Sequence, residues 1–557
     1  MSQNNSKKKV SVRGTFFDRF FERGLFIIVV LLVLVFILWP IFQVIKESFL
    51  PNGEFSFDLY KKLLQDNKKL IYNSVFVGIL TTICSTALSV CISIYTSFSS
   101  SRMKKIMTVI LLITMISPPF VSSLAYIDLF GRRGIITYRL LKLSINPYGW
   151  QGIVLMQTIS NVSINSLLLM GIIQGIDKNL LMASQDLGSS PTYAIRKILI
   201  PSMVSGIIVC ALLTFIRSLS DFGTPMVIGG SFDVLATEVY LNIIANSNIA
   251  MAAAMSVLIL IPSLMAFFVY RYYMKQSTIN MAGNNKITSN ESEFKLKGIL
   301  KAVLLFITMF YIISMLLQYG SIFISSISKF KKNQFMFTLD NYIKLKNYSA
   351  DCFIRSIVYS LIAGVVGSIL GMMVAYFNEK RRIRGMEVVD FISTLPYIIP
   401  GTFFGIGYIL AFNDAPLVLT GTATIVVLNC VFKQMPMTTK ASSAVISQIN
   451  GDIEQAAKDL GAGNFHVIKD IIIPNLKTAF VVGFINNFTA TMTTVGAIIF
   501  LVYPGQKVAT LEMFDAIQTG NYGVGAAIAT IIILVTLLVN IIVSKLVLRE
   551  RKSGYVS

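Results

Sequence analysis

Two segments of this 557-residue chain repeat the same small and polar residues at the same spacing. The first reads Met182-Ala183-Ser184-Gln185-Asp186-Leu187-Gly188, with Pro201 thirteen residues beyond the glycine. The second reads Gln455-Ala456-Ala457-Lys458-Asp459-Leu460-Gly461, with Pro474 thirteen residues on. Their chemistry is mechanical. Small residues let a short helix approach a neighbour closely, glycine permits a sharp reversal, and proline tolerates the start of a helix, where its missing N–H is harmless. Groups that make and break bonds are scarce. There is one histidine, His466, and five cysteines without CxxC spacing, four of them (Cys84, Cys91, Cys210, Cys430) in apolar stretches. Neither a metal centre nor a disulfide framework follows from that set. No GxxxxGK[ST] or HExxH pattern occurs, so the chain is expected to hold no nucleotide and no catalytic residue. Arg217 and Asp221 lie four apart in an apolar segment, a spacing that puts both on one helix face as a pair that either lines or gates a polar path or is a salt bridge near the membrane edge that only helps packing.

The elements that position these residues are set by composition. Hydrophobic residues make up 54% of the chain and charged ones 13%, about half the charge density of a soluble domain. The basic excess, +21, falls in short clusters between long apolar runs. That pattern suits membrane insertion and not a nucleic-acid partner. With about 20 apolar residues needed per crossing, twelve spans are expected: 24–45, 70–97, 106–130, 150–173, 203–228, 250–273, 298–328, 354–378, 386–412, 422–446, 478–501 and 523–548. The fold class is all-α integral membrane. No small-residue cleavage site follows the first span, which reads as a retained anchor in the bilayer. Lys7, Lys8, Lys9 and Arg13, then Arg102, Lys104 and Lys105, then Lys380, Arg381, Arg382 and Arg384, and finally Lys545, Arg549, Arg551 and Lys552 fall on one side. Both termini are therefore expected in the cytoplasm. Arg132, Arg133, Arg139 and Lys142, and Lys329, Lys331 and Lys332, run against that bias in two outer loops.

The chain also repeats itself. Asp186-Leu187-Gly188, Pro201 and Ala236-Thr237 recur at an offset of 273, whereas Pro118, Tyr126 and Phe130 recur at an offset of 282. The nine-residue difference belongs in the loop near 131–149, where length changes are tolerated. Two six-span halves in the same orientation result, with a path expected at their interface. The expected boundaries are a tail at 1–23, a first half at 24–273, a polar linker at 274–297, a second half at 298–548 and a tail at 549–557.

The repeated segments resemble the EAA loop of ATP-binding-cassette importer permeases, in which EAA, three residues, glycine and nine residues lead to Ile-x-Leu-Pro. The resemblance covers nearly the whole chain, as a tandem fusion of two type I (MetI-like) units. Met182 and Gln455 stand at the acidic position, and Glu454 lies one place early. The resemblance implies docking through Ala183, Ser184, Asp186, Gly188 and Pro201 in one loop, and through Glu454, Gln455, Ala456, Ala457, Asp459, Gly461 and Pro474 in the other. The implied partners are two ATPase subunits, which use ATP and Mg, and an extracytoplasmic binding lipoprotein at a bacterial inner membrane. The fusion, with Ser220-Asp221-Phe222-Gly223-Thr224-Pro225 and Val234-Leu235-Ala236-Thr237-Glu238-Val239-Tyr240, is similar to the ferric iron permeases and to their thiamine and 2-aminoethylphosphonate relatives. A secondary transporter or channel is the alternative of a different class. It leaves the two loops unexplained and predicts deep proton-relay carboxylates.

The remaining polar residues at membrane depth read as structural. Lys433 is expected near a span end, snorkelling. Asn429, Gln434, Asn486, Asn487 and Thr489 read as helix glue. Asp128 is expected at the interface beside Arg132. Gly401, Gly405 and Gly407 after Pro400 point to a closely packed or a broken ninth span, with packing the favoured explanation, and His466 reads as a helix-surface residue. Tyr126, Tyr408 and Asp128 are not expected to bind a metal tightly, because a path must release what it passes.

Overall fold

The computed structural model describes residues 12–553, apart from 133, 144–145, 283–293, 332–333, 382, 450 and 504. Helices dominate it. Among the described residues the strands form one short antiparallel hairpin, Ser328–Lys331 with Gln334–Phe337.

Eight helices among the described residues are long and apolar enough to cross a membrane: Glu22–Phe49, Lys68–Ser97, Trp150–Gly175, Pro191–Ser220, Ile249–Tyr273, Gly298–Ser326, Ala350–Lys380 and Tyr522–Lys545. Two more expected spans are broken. Ser101–Ile116 and the helix beginning at Pro119 meet at 104°, and Met386–Ile398 meets Gly401–Phe412 at 116°. The ninth expected span is therefore broken as well as closely packed, since a Cβ at Gly401, Gly405 or Gly407 would lie 2.8–2.9 Å from neighbouring backbone. Pro118 and Pro400 sit at the two breaks, where proline cannot carry the backbone hydrogen bonds onward. The last two expected spans are the helices Ala423–Ile446 and Ile473–Thr493, which are more polar. Their polar side chains face protein: Asn429, Thr438, Thr439, Ser442, Asn487, Thr489 and Thr491 are all buried.

Several expected edges move. The chain is already helical at Val12 and the last helix runs to Ser553, while the stretches apolar enough to cross a membrane, Glu22–Phe49 and Tyr522–Lys545, lie close to the expected 24–45 and 523–548. The helix expected over 203–228 stops at Ser220, and that over 478–501 stops at Thr493. The linker expected at 274–297 begins inside a helix that continues to Ala282, and residues 283–293 of it lie outside the described residues. So do Lys7, Lys8, Lys9, Arg133, Lys332 and Arg382.

The repeat holds element by element. Pro119–Phe130 and Gly401–Phe412 differ by 282 at both ends. Lys178–Asp186 and Gly451–Asp459, and Ile200–Ser220 and Ile473–Thr493, differ by 273 at both ends. Nineteen residues (131–149) separate the helices around the first variable loop and ten (413–422) around the second, which accounts for the nine. One buried helix-to-helix hydrogen bond is repeated with its partners exchanged. Asn165 donates to Thr214 Oγ1 at 2.7 Å, and at the repeat-related positions Asn487 donates to Thr438 Oγ1 at 3.1 Å. An amide and a hydroxyl are needed there, in either order.

The halves exchange their first helices. Residues Val29, Val33, Phe36, Ile37, Ile41 and Val44 of the opening helix share a core with the second half. Tyr408 donates to the Phe36 carbonyl at 2.8 Å, and Phe36 stacks on Phe432 at 5.0 Å. Conversely, Gly298–Ser326 lies on the first half, where Tyr311 and Met315 join its core and the Ser117 and Tyr319 hydroxyls meet at 2.7 Å. Rings from both halves close the interface: Phe120, Phe222 and Tyr240 from the first, Phe500 and Phe514 from the second, at centroid distances of 5.0–6.3 Å.

Candidate functional site: two exposed loops and the contacts behind them

Each repeated segment folds into a short helix closed by a glycine cap. In the first, Asp177 accepts from the Asn179 N–H at 2.9 Å and starts the helix Lys178–Asp186. Gly188 then turns left-handed at φ +85°. Its N–H returns to the Gln185 carbonyl at 2.8 Å, and the Ser189 N–H to the Ser184 carbonyl at 3.1 Å. Those two bonds are a Schellman cap, which satisfies the last carbonyls of the helix. The second segment repeats the geometry, with Gly461 at φ +92° and the Ala462 N–H bound to the Ala457 carbonyl at 3.0 Å. A side chain is disfavoured at such a φ, and this explains the repeated glycine.

Just before each glycine a leucine projects into solvent. Leu187 is 89% exposed and Leu460 90%. A Cβ added at Gly188 or Gly461 would meet nothing within 4 Å, so both tips are open. A lone exposed leucine is ordinary. Here the same residue stands exposed on two matched caps. Asp186, Asp459 and Gln455 are exposed beside them, Ala183 and Ala456 are exposed, and Ser184 and Ala457 are half-buried against the chain. Both leucines stand inside the repeated motif, but nothing in its spacing distinguishes them as the tips.

Beyond each cap a four-residue helix and a five-residue π-helical segment, Ile195–Leu199 or Ile468–Ile472, lead into the long helix. Pro201 and Pro474 lie just after those π segments. The chain is already helical there, so the reading of each proline as the start of a span needs correction. A wider turn in front of proline makes room for its ring and its missing donor.

Arg217 and Asp221 do not pair. The helix ends between them at Ser220 and carries Asp221 off the face that Arg217 occupies. Arg217 reaches across the interface to the Tyr397 hydroxyl of the second half at 3.4 Å. Asp221 caps the next short helix instead, accepting from the N–H groups of Gly223 and Thr224 at 3.0 and 3.1 Å, and from Gln157 at 3.0 Å. Substitutions at the two sites are therefore expected to add. A double-mutant cycle of Arg217→Gln and Asp221→Ala, followed by thermal unfolding in detergent, should give a coupling within about 0.5 kcal/mol of zero. The Asp221→Ala change alone should cost about 1 kcal/mol for its lost cap. A coupling several times larger would restore the pair.

Lys433 is not at a span end. Its ammonium donates to the carbonyls of Pro396 and Ile399, both at 2.5 Å, and lies 5.7 Å from the Phe404 ring centre. It sits at the break of the bent pair. Sequence reasoning missed this role, although Pro400, which deprives the Pro396 carbonyl of its helical donor, was a usable signal. Asp128 accepts from Ser325 at 2.6 Å, so it too has a partner in the other half. The hydroxyls of Tyr126 and Tyr408, related by the repeat, are spent on the carbonyls of Pro147 and Phe36 at 2.6 and 2.8 Å. Among the described residues no cluster of three or more His, Cys, Asp or Glu could hold a metal ion. His466 is exposed on its short helix.

Comparison with known proteins agrees with this architecture. The family model for the binding-protein-dependent transport system inner membrane component matches twice, at residues 89–277 and 367–551. The chain is 29% identical over 526 residues to a ferric transport system permease protein FbpB of Actinobacillus pleuropneumoniae, covering 92% of this chain and 76% of that protein. It is 28% identical over 508 residues to a putative ferric transport system permease protein FbpB 1 of Haemophilus influenzae, covering 88% and 79%. A putative 2-aminoethylphosphonate transport system permease protein PhnV of Salmonella typhimurium is 24% identical over 203 residues, 36% of this chain and 77% of that one. With two family matches on two structurally equivalent halves, the chain belongs to the binding-protein-dependent inner membrane components: it is a multi-pass permease of an ATP-binding-cassette importer, not itself catalytic, with ATP hydrolysed by a separate ATPase.

Proposed function

We propose that this permease passes ferric iron, delivered by an extracytoplasmic binding protein, into the bacterial cytoplasm. The observation that carries the reading is the length of the resemblance. Similarity to proteins named as ferric permeases runs through both halves, over 92% and 88% of the chain, whereas similarity to the phosphonate permease stops at 36%. Iron is cargo here, and no resident metal is required.

Two ATPase subunits dock, one on each loop, and they hold the ATP and Mg. Ala183, Ser184, Asp186 and Gly188 shape the first seat, while Gln455, Ala456, Ala457, Asp459 and Gly461 shape the second; Pro201 and Pro474 carry the motion into the long helices. The loops and both termini face the cytoplasm, in keeping with the basic residues at those ends. Arg217 and Asp221 belong to the interface between the halves, where a path would open. Arg217 there holds the second half, and Asp221 holds a helix end.

Reconstitution in liposomes with the ATPase and binding protein tests the substrate. Uptake of radiolabelled ferric iron that requires ATP is expected. ATP-driven uptake of 2-aminoethylphosphonate or thiamine without iron uptake would overturn the assignment and leave the importer architecture intact.

A further inference from the structure

The two loops match in backbone and differ in what holds them from behind. In the first, Leu181 on the loop helix is buried in a cluster with Ile94, Tyr95, Leu199, Phe294 and Leu296. Phe294 meets the ring of Phe98 at 5.0 Å. This seat is apolar. In the second, the repeat places Glu454 where the first has Leu181, and Lys380 and Arg381 where the first has Phe98 and Ser99. Glu454 lies 3.7 Å from Lys380 Nζ and 3.7 Å from Arg381 Nη1, and Arg381 Nε also meets Glu22 of the opening helix. All four side chains are less than one-fifth exposed. Lys380 further donates to the Ile449 carbonyl at 3.3 Å, and the Arg381 guanidinium lies over Tyr376 at 5.5 Å.

We propose that Arg381 is a positioning residue that clamps the second loop, through Glu454, to Glu22 on the opening helix, so that movement of this loop pulls that helix with it. The proposal rests on the reading of the loops as ATPase seats. It also gives the early glutamate a use: Glu454 faces its own chain, while the tip Leu460 faces out. The opening helix continues to Pro40, where Gly407 is packed so closely that a Cβ would lie 2.8 Å from the Pro40 carbonyl. Gly407 and Tyr408 belong to the helix that follows the break at Pro400. A chain of contacts thus runs from loop, through Arg381 and the opening helix, to the bent pair beside the interface. The first loop has an apolar counterpart and no such ionic clamp among the described residues.

Largely buried charges that act as one unit show non-additive substitutions. Arg381→Met, Glu454→Gln and the double variant, reconstituted with ATPase and binding protein, are expected to recover intact complex and to retain ATP hydrolysis. Ferric uptake per ATP hydrolysed should fall about tenfold in each single variant, within the range of coupling between sites. The double variant should be no worse than either single, and Arg381→Lys should recover most of the ratio. Leu181→Ala, by contrast, should lower the melting temperature and leave the ratio unchanged. An unaltered ratio in both Arg381→Met and Glu454→Gln overturns the clamp. So does loss of complex in Arg381→Met and Arg381→Lys alike, which assigns Arg381 to folding alone. ATPase that remains bound after disruption of both tips, Leu187→Asp with Leu460→Asp, would instead overturn the docking reading.

Discussion

Lys433→Met is expected to lower the unfolding free energy of the permease by about 3–6 kcal/mol, since a hydrogen bond to a charged group contributes about 1.5–3 kcal/mol and two are lost. Methionine replaces the methylene stem and keeps the packing, so the loss isolates the ammonium. The Pro396 carbonyl would then have no helical donor, because the residue four places on is Pro400. The Ile399 carbonyl ends the same half-helix, where the dipole favours a cation. At the repeat-related place in the first half stands the exposed Ser160, whose hydroxyl lies 3.4 Å from Ser122. Ser160→Ala is the matched control and should change stability by under about 0.5 kcal/mol. Thermal unfolding of both variants in detergent decides the matter. Equal melting temperatures would mean that the break stands without its cation.

This lysine also marks where sequence reading ended. Periodicity and apolar length located the helices, and the offsets of 273 and 282 located the repeat to the residue, because Asp-Leu-Gly, proline and Ala-Thr are too particular to recur by chance in an apolar chain. Three things were hidden. Hydropathy sums over a window and does not register a bend, so Ser101–Ile116 with its successor, and Met386–Ile398 with Gly401–Phe412, each count as one span; Pro118 signalled the first bend, and Pro400 with the glycines after it the second. Spacing of four residues implies a shared face only while the helix continues, and the helix ends at Ser220, so Arg217 and Asp221 separated. The exchange of first helices left no local trace. Phe36 and Tyr408 are 372 positions apart, and nothing in either residue announces the other.

The exchange changes what the repeat means mechanically. Each half is completed by a helix from the other, so the halves cannot separate as two rigid bodies without carrying those helices along. Asp128 with Ser325, Ser117 with Tyr319 and Arg217 with Tyr397 add polar contacts across the same boundary. Such bonds contribute about 0.6 kcal/mol each within membranes, little enough to be remade in a second arrangement. The packed rings of Phe120, Phe222, Tyr240, Phe500 and Phe514 bury far more area. Alternation between two states has to move that cluster, whereas the polar contacts can follow.

Leu460→Asp is expected to remove the ATPase subunit seated on the second loop and to leave the one on the first, so that less ATPase is recovered, while the permease itself inserts and melts normally. At 90% exposure the leucine contributes almost nothing to the fold, so the variant separates docking from stability. Seating a leucine in a partner's cleft is worth about 1.5–3 kcal/mol, and an aspartate there must also lose its water, for a combined loss of at least about a hundredfold in affinity. Leu187→Asp tests the first loop in the same way. Gly461 supplies an independent check through the backbone. With no atom within 4 Å of a Cβ placed there, Gly461→Val fails only because φ is +92°, at a cost of about 1–2 kcal/mol. Gly461→Asn should dock nearly as well as the parent, since asparagine tolerates that conformation. Pull-down of the ATPase by each variant, beside its melting curve, reads both effects. If Leu460→Asp and Gly461→Val retain the ATPase at the parent level, the second loop is not its seat.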